Sequence, residues 1–98
     1  MTIEIKRNAE ETIIELTGRL DTTTAPALDK TLNEDIGDTK NLVLDIKKLE
    51  YVSSAGLRVF LSAQKKMQKI GSMKVMNVRE EIMEVFEMTG FSDILTIE

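Results

Sequence analysis

Strand-like and helix-like patterns of apolar residues alternate along this 98-residue chain, and that alternation limits the possible folds more than any other feature. Apolar residues at every second position indicate a strand, whereas apolar residues three and four positions apart indicate one face of a helix. The strand-like segments are 2–7, 12–17, 41–46, 73–76 and 94–97. The helix-like segments are 25–36, a second that begins at Ser53 or Ser54 and ends at Ile70, and a third that ends at Gly90. The order β-β-α-β-α-β-α-β predicts an α/β fold, in which helices pack on a central mixed sheet with an antiparallel opening hairpin followed by parallel crossovers.

Boundary signals divide these segments. Gly18 is expected to end the second strand, and residues 47–52 are predicted to connect the third strand to the second helix. The segment Asn77–Glu80 has the spacing of a capping box, in which Glu follows a cap residue by three positions. The glycines expected to end the three helices are Gly37, Gly71 and Gly90. The methionines expected to fill the core are Met67, Met73, Met76, Met83 and Met88.

The composition narrows the possible chemistry. The chain has no Cys and no His, which excludes disulfides, thiolate metal sites, cysteine nucleophiles and histidine bases. A net charge of −4, from 13 basic and 17 acidic residues, makes nucleic acid an unexpected partner. No apolar run is long enough for a membrane span or a signal peptide. We therefore expect one cytoplasmic domain, residues 1–98, that is monomeric and has no cofactor or metal.

Hydroxyl and carboxylate side chains occur where predicted strands lead into helices, which is where open α/β sheets place functional groups. A favourable strand order would gather Asp21, Asp45, Ser53 and Ser54 at one end of the domain. A serine there caps the long helix by accepting a hydrogen bond from a free backbone N–H. The same free N–H groups and the positive end of the helix dipole would also hold a phosphate. The spacing alone leaves both interpretations open.

Several motifs, taken in order, resemble those of the STAS domain, the family named for sulfate transporters and anti-sigma factor antagonists. The resemblance covers essentially the whole chain and is greatest for the small, free-standing anti-anti-sigma factors of bacteria. The matching segments are Leu16–Asp21, Val43–Ile46, the signature Tyr51–Leu57, the later Gly71, and Met88–Phe91. The family's fold is the mixed sheet with packed helices that the periodicity predicts.

The resemblance implies that a partner kinase phosphorylates Ser54, because the family's acceptor serine directly follows a signature Asp. Here Ser53 occupies the position of that Asp, so Ser53 is the second candidate acceptor. The implied partner-binding residues are Asp21, Thr22, Thr23, Asp45, Ser53, Gly56 and Arg58. Structural roles are the alternatives for three of them: helix entry for Asp21, a polar strand end for Asp45, and tight helix–sheet packing for Gly56. Arg58, one turn after Ser54, either pairs with a phosphate or is solvated.

The function implied by the resemblance is that of an anti-sigma factor antagonist. The unphosphorylated form would bind an anti-sigma factor with serine-kinase activity and release the sigma factor, and a serine/threonine phosphatase would reverse the phosphorylation at Ser54. The alternative is a constitutive STAS scaffold in a signalling or transport complex, which the absence of the family's Asp at Ser53 favours. A serine hydrolase is disfavoured because the chain has no histidine base.

Overall fold

The structure, a computed structural model, describes residues 1–34, 36 and 39–98. Its strands are β1 (Thr2–Arg7), β2 (Thr12–Leu20), β3 (Asn41–Val52) and β4 (Ser72–Met76), and its helices are α1 (Ala25–Glu34), α2 (Ser54–Ile70) and α3 (Glu80–Thr89). A 3₁₀ turn at Phe91–Asp93 follows α3. The expected stop of the first helix at Gly37 lies outside the described residues. None of the described helices is long and apolar enough to cross a membrane.

The four strands form one sheet in the order β1-β2-β3-β4. β1 and β2 pair antiparallel, whereas β3 runs parallel to both β2 and β4. The predicted α/β class is therefore confirmed, with its antiparallel hairpin followed by parallel crossovers. This strand order places the carboxyl ends of β2 and β3 side by side.

One face of the sheet packs against the helices and forms the core. Alternate residues of β2 and β3, such as Ile14 and Leu44, lie in one buried cluster with Phe60 and Met67 of α2. Phe86 of α3 meets Phe60 edge-on, with the ring centroids 6.2 Å apart. Burial of these apolar side chains on one face is the main favourable contribution to folding. The opposite face of the sheet carries mostly polar and charged side chains.

β3 is longer than the sequence pattern predicts, and the expected connection at residues 47–52 is wrong. The pairing of β3 with β2 shifts register at two points, and at each one β3 carries an extra residue. Such bulges break the period of two, so Leu49 and Val52 both reach the core although they lie three positions apart. The broken alternation explains why this half of the strand resembled a loop.

Gly18 does not end β2, which continues to Leu20. Its φ of +100° is accessible to glycine at little cost, and one of the register shifts directly follows it. Gly18 therefore allows the strand to bend within the sheet. The prediction of a strand end at this residue is wrong.

The expected capping box before α3 is absent. Asn77 has a left-handed φ of 59°, and α3 begins three residues later, with Arg79 at the N-cap position and no side-chain cap. Gly90 ends the helix as predicted, in a left-handed conformation. Gly71 likewise ends α2, and its N–H donates to the Met67 carbonyl.

The predicted last strand is reduced to a single parallel bridge between Val75 and Ile97. The Val75 N–H donates to the Thr96 carbonyl over 2.8 Å, and the Glu98 N–H donates to the Val75 carbonyl over 3.0 Å. The buried Gln64 accepts a further hydrogen bond from the Thr96 N–H. The C-terminal residues therefore cover part of the outer edge of β4.

The methionines divide between core and surface. Met67 and Met73 are fully buried, and Met76 and Met83 are half-buried. Met88 is 87% exposed, so the expectation that it fills the core is wrong. Its helix is covered on one face only, and Met88 lies on the other.

Candidate functional site

The ends of β2 and β3 bring two loops together. Leu20 pairs with Val52 in the parallel ladder, and the Ser53 N–H donates to the Leu20 carbonyl over 2.8 Å. The residues that follow these two strands, Asp21 and Ser53, are therefore neighbours. This placement confirms the expected meeting of the two loops at one end of the sheet.

Ser53 caps helix α2. Its backbone is extended, with φ −94° and ψ 175°, and its hydroxyl oxygen accepts from the Gly56 N–H over 3.4 Å. Its carbonyl accepts the first helical hydrogen bond, from the Leu57 N–H over 2.9 Å. The capping interpretation is therefore correct for Ser53, whose hydroxyl satisfies one of the free donors of the first turn.

Ser54 is the first residue of α2, and its side chain is exposed. Within the described residues, no hydrogen bond engages its hydroxyl or reaches the N–H groups of Ser54 and Ala55. The first turn of this 17-residue helix therefore presents unpaired donors and a partial positive charge. The Ser54 hydroxyl is accessible and lies where an added anion would be stabilised.

Gly56 lies beneath the two serines and is buried. A Cβ atom at this position would lie 2.6 Å from Cγ of Leu20 and 3.0 Å from Cγ2 of Val52. The missing side chain lets the start of α2 approach the ends of β2 and β3. Gly56 therefore has the packing role. Its close contact with Leu20 and Val52 fixes the position of the first turn of α2, which carries Ser54.

Asp21 orders the turn before α1 through reciprocal hydrogen bonds with the residues that follow it. Its carboxylate accepts from the Thr23 hydroxyl over 2.7 Å and from the N–H groups of Thr23 and Thr24 over 3.0 and 3.1 Å. In return, the Thr24 hydroxyl oxygen accepts from the Asp21 N–H over 2.8 Å and lies 2.9 Å from the Arg19 carbonyl. This arrangement is that of a capping box, formed one turn before the regular helix.

These contacts lower the pKa of Asp21. The hydrogen bond from the Thr23 hydroxyl is the largest cause, and partial desolvation opposes it. The N–H groups of Thr23 and Thr24 and the Thr24 hydroxyl lower the pKa further. Asp21 is therefore charged at neutral pH and holds the turn in place, while Thr22 and Thr23 remain exposed on its surface.

An open groove beside Ser54 separates the start of α1 from the start of α2. Its α1 side is formed by Thr22, Pro26 and Asp29, and its α2 side by Ala55, Arg58 and Val59. Arg58 is exposed, and no salt bridge between described residues includes it. Its guanidinium is therefore available to an anion placed one helical turn earlier.

Asp45 lies apart from this cluster. It sits in the middle of β3, where Asn77 donates to its carboxylate over 3.0 Å and the Lys47 N–H donates over 3.2 Å. Asp45 pairs with Glu15 and Val52 pairs with Leu20, five residues further along β2, so Asp45 lies roughly 17 Å before the end of β3 at the usual rise of a strand. The expectation that Asp45 joins the other site residues is wrong, because β3 does not end after Ile46.

The family follows from a direct comparison, since residues 2–98 match the model of the STAS domain. The chain belongs to the STAS family. The anti-sigma-B factor antagonist of Bacillus subtilis (strain 168) is 30% identical over 98 residues, covering 99% of this chain and 90% of that protein. This STAS domain therefore matches small relatives over nearly their whole length.

Solved structures show the same fold. An anti-sigma factor antagonist from Mycobacterium paratuberculosis superposes with a TM-score of 0.88 at 22% identity, covering 98% of this chain and 83% of that one. SpoIIAA, an anti-sigma factor antagonist, superposes in its unphosphorylated form with a TM-score of 0.76 at 14% identity, covering 99% and 88%. The phosphorylated form of SpoIIAA from Bacillus superposes with a TM-score of 0.67 at the same identity, covering 99% and 91%.

Sequence reasoning overlooked an exposed pair beside the site of this STAS domain. The Arg19 guanidinium lies 4.3 Å from the ring centroid of Tyr51, its partner in the strand register. Tyr51 is 41% exposed, on the sheet face that the helices leave open. The position of Tyr51, two residues before the helix cap, was a signal for the aromatic residue but not for its pairing with Arg19. Among the described residues, no group of acidic side chains is arranged to hold a metal ion.

Proposed function

We propose that this STAS domain, spanning residues 1–98, is a cytoplasmic anti-sigma factor antagonist controlled by phosphorylation of Ser54. The unphosphorylated form binds an anti-sigma factor that is also a serine kinase, and the sigma factor is released. Phosphorylation of Ser54 ends this binding, and a serine/threonine phosphatase restores the active form. The names of the relatives support the antagonist function, and the two forms of SpoIIAA support control by phosphorylation.

The observation that carries this proposal is the exposed, unengaged hydroxyl of Ser54 at the start of α2. A kinase must reach the hydroxyl without unfolding the helix, and the position of Ser54 on the surface permits this. The neighbouring Ser53 hydroxyl already accepts from the Gly56 N–H. Modification of Ser53 would disturb that cap, so the structure favours Ser54 over Ser53 as the acceptor.

A phosphate on Ser54 changes the charge of the docking surface more than its shape. It adds about −1.5 to −2 charges at neutral pH to a protein with a net charge of −4. The free donors of the first helical turn and the Arg58 guanidinium can stabilise this group in place. A partner must then desolvate a dianion, and a penalty of about 3 kcal/mol weakens association roughly a hundredfold.

The remaining partner-binding residues surround Ser54. Thr22 and Thr23 lie on the ordered turn held by Asp21, and Arg58 lies across the groove from this turn. The partner would contact both sides of the groove. Gly56 contributes by packing alone, and Asp45 is too distant to take part in the same contact.

The test incubates the protein with ATP and a candidate anti-sigma factor that carries a serine-kinase domain, taken from the same organism. We expect one phosphate in the peptide that contains Ser54, no incorporation in Ser54→Ala, and normal incorporation in Ser72→Ala, an exposed serine at the start of β4 and outside the groove. Ser54→Asp should bind the kinase at least tenfold more weakly than the wild-type protein does. Phosphate on Ser54→Ala, or equal binding by Ser54→Asp, would contradict the switch.

The constitutive scaffold is the second candidate, and the serine in place of the family's signature Asp favours it. The same measurements separate the two functions. A scaffold would bind its partner with equal affinity in the wild type, Ser54→Ala and Ser54→Asp, and would take up no phosphate from the kinase.

A further inference from the structure

The two edges of the sheet differ in how they are protected. The C-terminal residues pair with Val75 and cover part of the outer edge of β4. β1 forms the other edge, and no described residue pairs with its outer side. An uncovered strand presents unpaired N–H and C=O groups, which are a template for pairing with another chain.

β1 also carries an uncompensated charge. Glu4 lies directly opposite Glu15 in the register of β1 and β2, and no salt bridge between described residues includes Glu4. Like charges directly opposite each other on paired strands are destabilising. Lys6 lies on the same face, and its ammonium group is 3.2 Å from Glu15. The ammonium group has three N–H donors, and those not used by Glu15 are accessible because the Lys6 side chain is 63% exposed.

The core-facing side of β1 adds an apolar contact. Ile3 and Ile5 pair with Leu16 and Ile14, so they lie on the face of the sheet that packs against the helices. Ile5 is nevertheless 36% exposed, because it lies at the rim of the core. A neighbouring strand would bury its side chain.

We propose that β1 pairs antiparallel with β1 of a second copy of this chain, with Ile5 opposite Ile5 on the two-fold axis. In this register Glu4 of each copy lies opposite Lys6 of the other, so two opposite-charge pairs form on the open face of the sheet. The result is one continuous eight-stranded sheet with the helices of both copies on the same face. The interface is isologous and closes after two copies.

The charge pattern selects this register over its neighbours. A two-fold axis normal to the sheet keeps each side chain on its own face, so the alternative registers differ by two residues. One alternative places Glu4 opposite Glu4, and the other places Lys6 opposite Lys6. Both bring like charges together at the axis, whereas the proposed register compensates each Glu4. The proposal departs from the monomer expected from the sequence.

The phosphoacceptor site lies at the end of β3, and β1 is separated from β3 by β2. The proposed dimer therefore leaves Ser54 and its groove open in both copies. The inference is independent of whether the protein is an anti-sigma factor antagonist.

Sedimentation equilibrium of the whole chain at low ionic strength tests the proposal. One strand pairing buries little surface, so we expect a dissociation constant of roughly 0.1–1 mM, with the mass rising from 11.1 kDa toward twice that value. Glu4→Lys and Lys6→Glu each create two like-charge pairs at the interface. Each should weaken the dimer by at least about tenfold.

Mixing provides the decisive control. Glu4→Lys and Lys6→Glu are complementary to each other in the proposed register, so an equimolar mixture should form a heterodimer although neither variant dimerises alone. The double swap Glu4→Lys/Lys6→Glu should dimerise like the wild type, and so should a charge swap of the Lys30–Glu34 pair on α1. A wild type that stays at 11.1 kDa up to about 1 mM, or a mixture that stays monomeric, overturns the proposal.

Discussion

Replacement of Gly56 by Ala tests whether close packing under the site positions the start of α2. The new methyl group would lie 2.6 Å from Cγ and 2.8 Å from Cδ2 of Leu20, and 3.0 Å from Cγ2 of Val52. Leu20 is fully buried and Val52 is 5% exposed, so neither side chain has open space to enter. The start of α2 must therefore move away from the sheet.

The expected loss of stability follows from two opposing contributions. Overpacking of a core costs about 1–3 kcal/mol. Alanine has a higher helix propensity than glycine, which offsets at most about 1 kcal/mol and less in the first turn. The net cost is about 1–2 kcal/mol, which corresponds to a decrease in Tm of roughly 5–15 °C for a domain of this size.

Urea unfolding, followed by circular dichroism, measures this loss. Gly90→Ala is the matched control, because a methyl group there meets nothing within 4 Å and the cost of about 1 kcal/mol arises from its φ of +81° alone. Gly56→Ala should also slow phosphorylation of Ser54, whereas Gly90→Ala should not. An unchanged unfolding midpoint for Gly56→Ala would refute the packing argument.

A double-mutant cycle with Leu20 identifies the contact itself. Leu20→Ala leaves a cavity and should cost about 2–5 kcal/mol in the wild type. The same change should cost less in Gly56→Ala, because the added methyl group occupies part of the space. Strictly additive losses would show that the two side chains do not meet.

The remaining predictions concern the turn and the methionines. The hydrogen bond from the Thr23 hydroxyl, followed by those from neighbouring N–H groups, lowers the pKa of Asp21. The charged form of Asp21 therefore stabilises the fold above its unfolded pKa of about 3.9, and this stabilisation is lost as the pH falls through the lowered folded pKa. The difference in urea midpoint between wild type and Asp21→Asn should be present at neutral pH and should disappear in acid. A difference that does not change with pH would contradict the lowered pKa of Asp21. Met67→Ala should cost about 2–5 kcal/mol in urea, whereas Met88→Ala should change stability by less than about 0.5 kcal/mol, because Met67 is buried and Met88 is 87% exposed. Equal losses for the two methionines would contradict their placement.

Hydrophobic periodicity predicted the fold well wherever a strand or helix kept its regular period along its whole length. β1 has the predicted bounds, and α2 ends at the predicted glycine. Prediction failed where local geometry departs from the regular period. The bulges of β3 moved Leu49 and Val52 out of alternation, and the left-handed Asn77 resembled a helix cap in sequence only.

Part of the site was predictable, namely the part whose position depends on strand order and not on the bulges. Asp21, Ser53 and Ser54 directly follow strands that lie side by side, so their meeting depends only on strand order. The position of Asp45 depends on the length of β3, which the bulges obscured. The pairing of Arg19 with Tyr51 depends on the strand register after two shifts, and no pattern in the sequence shows that register.

The hydrogen bonds between Asp21 and the two threonines that follow it have a consequence for the kinetics of docking. A turn whose donors and acceptors are already paired loses little conformational freedom when a partner arrives. Encounter with the partner should then resemble the meeting of two rigid bodies, with a small change in heat capacity and no slow rearrangement step. Differences in affinity among variants that leave the charge of this surface unchanged would accordingly appear in the rate of dissociation, while the rate of association stays nearly constant.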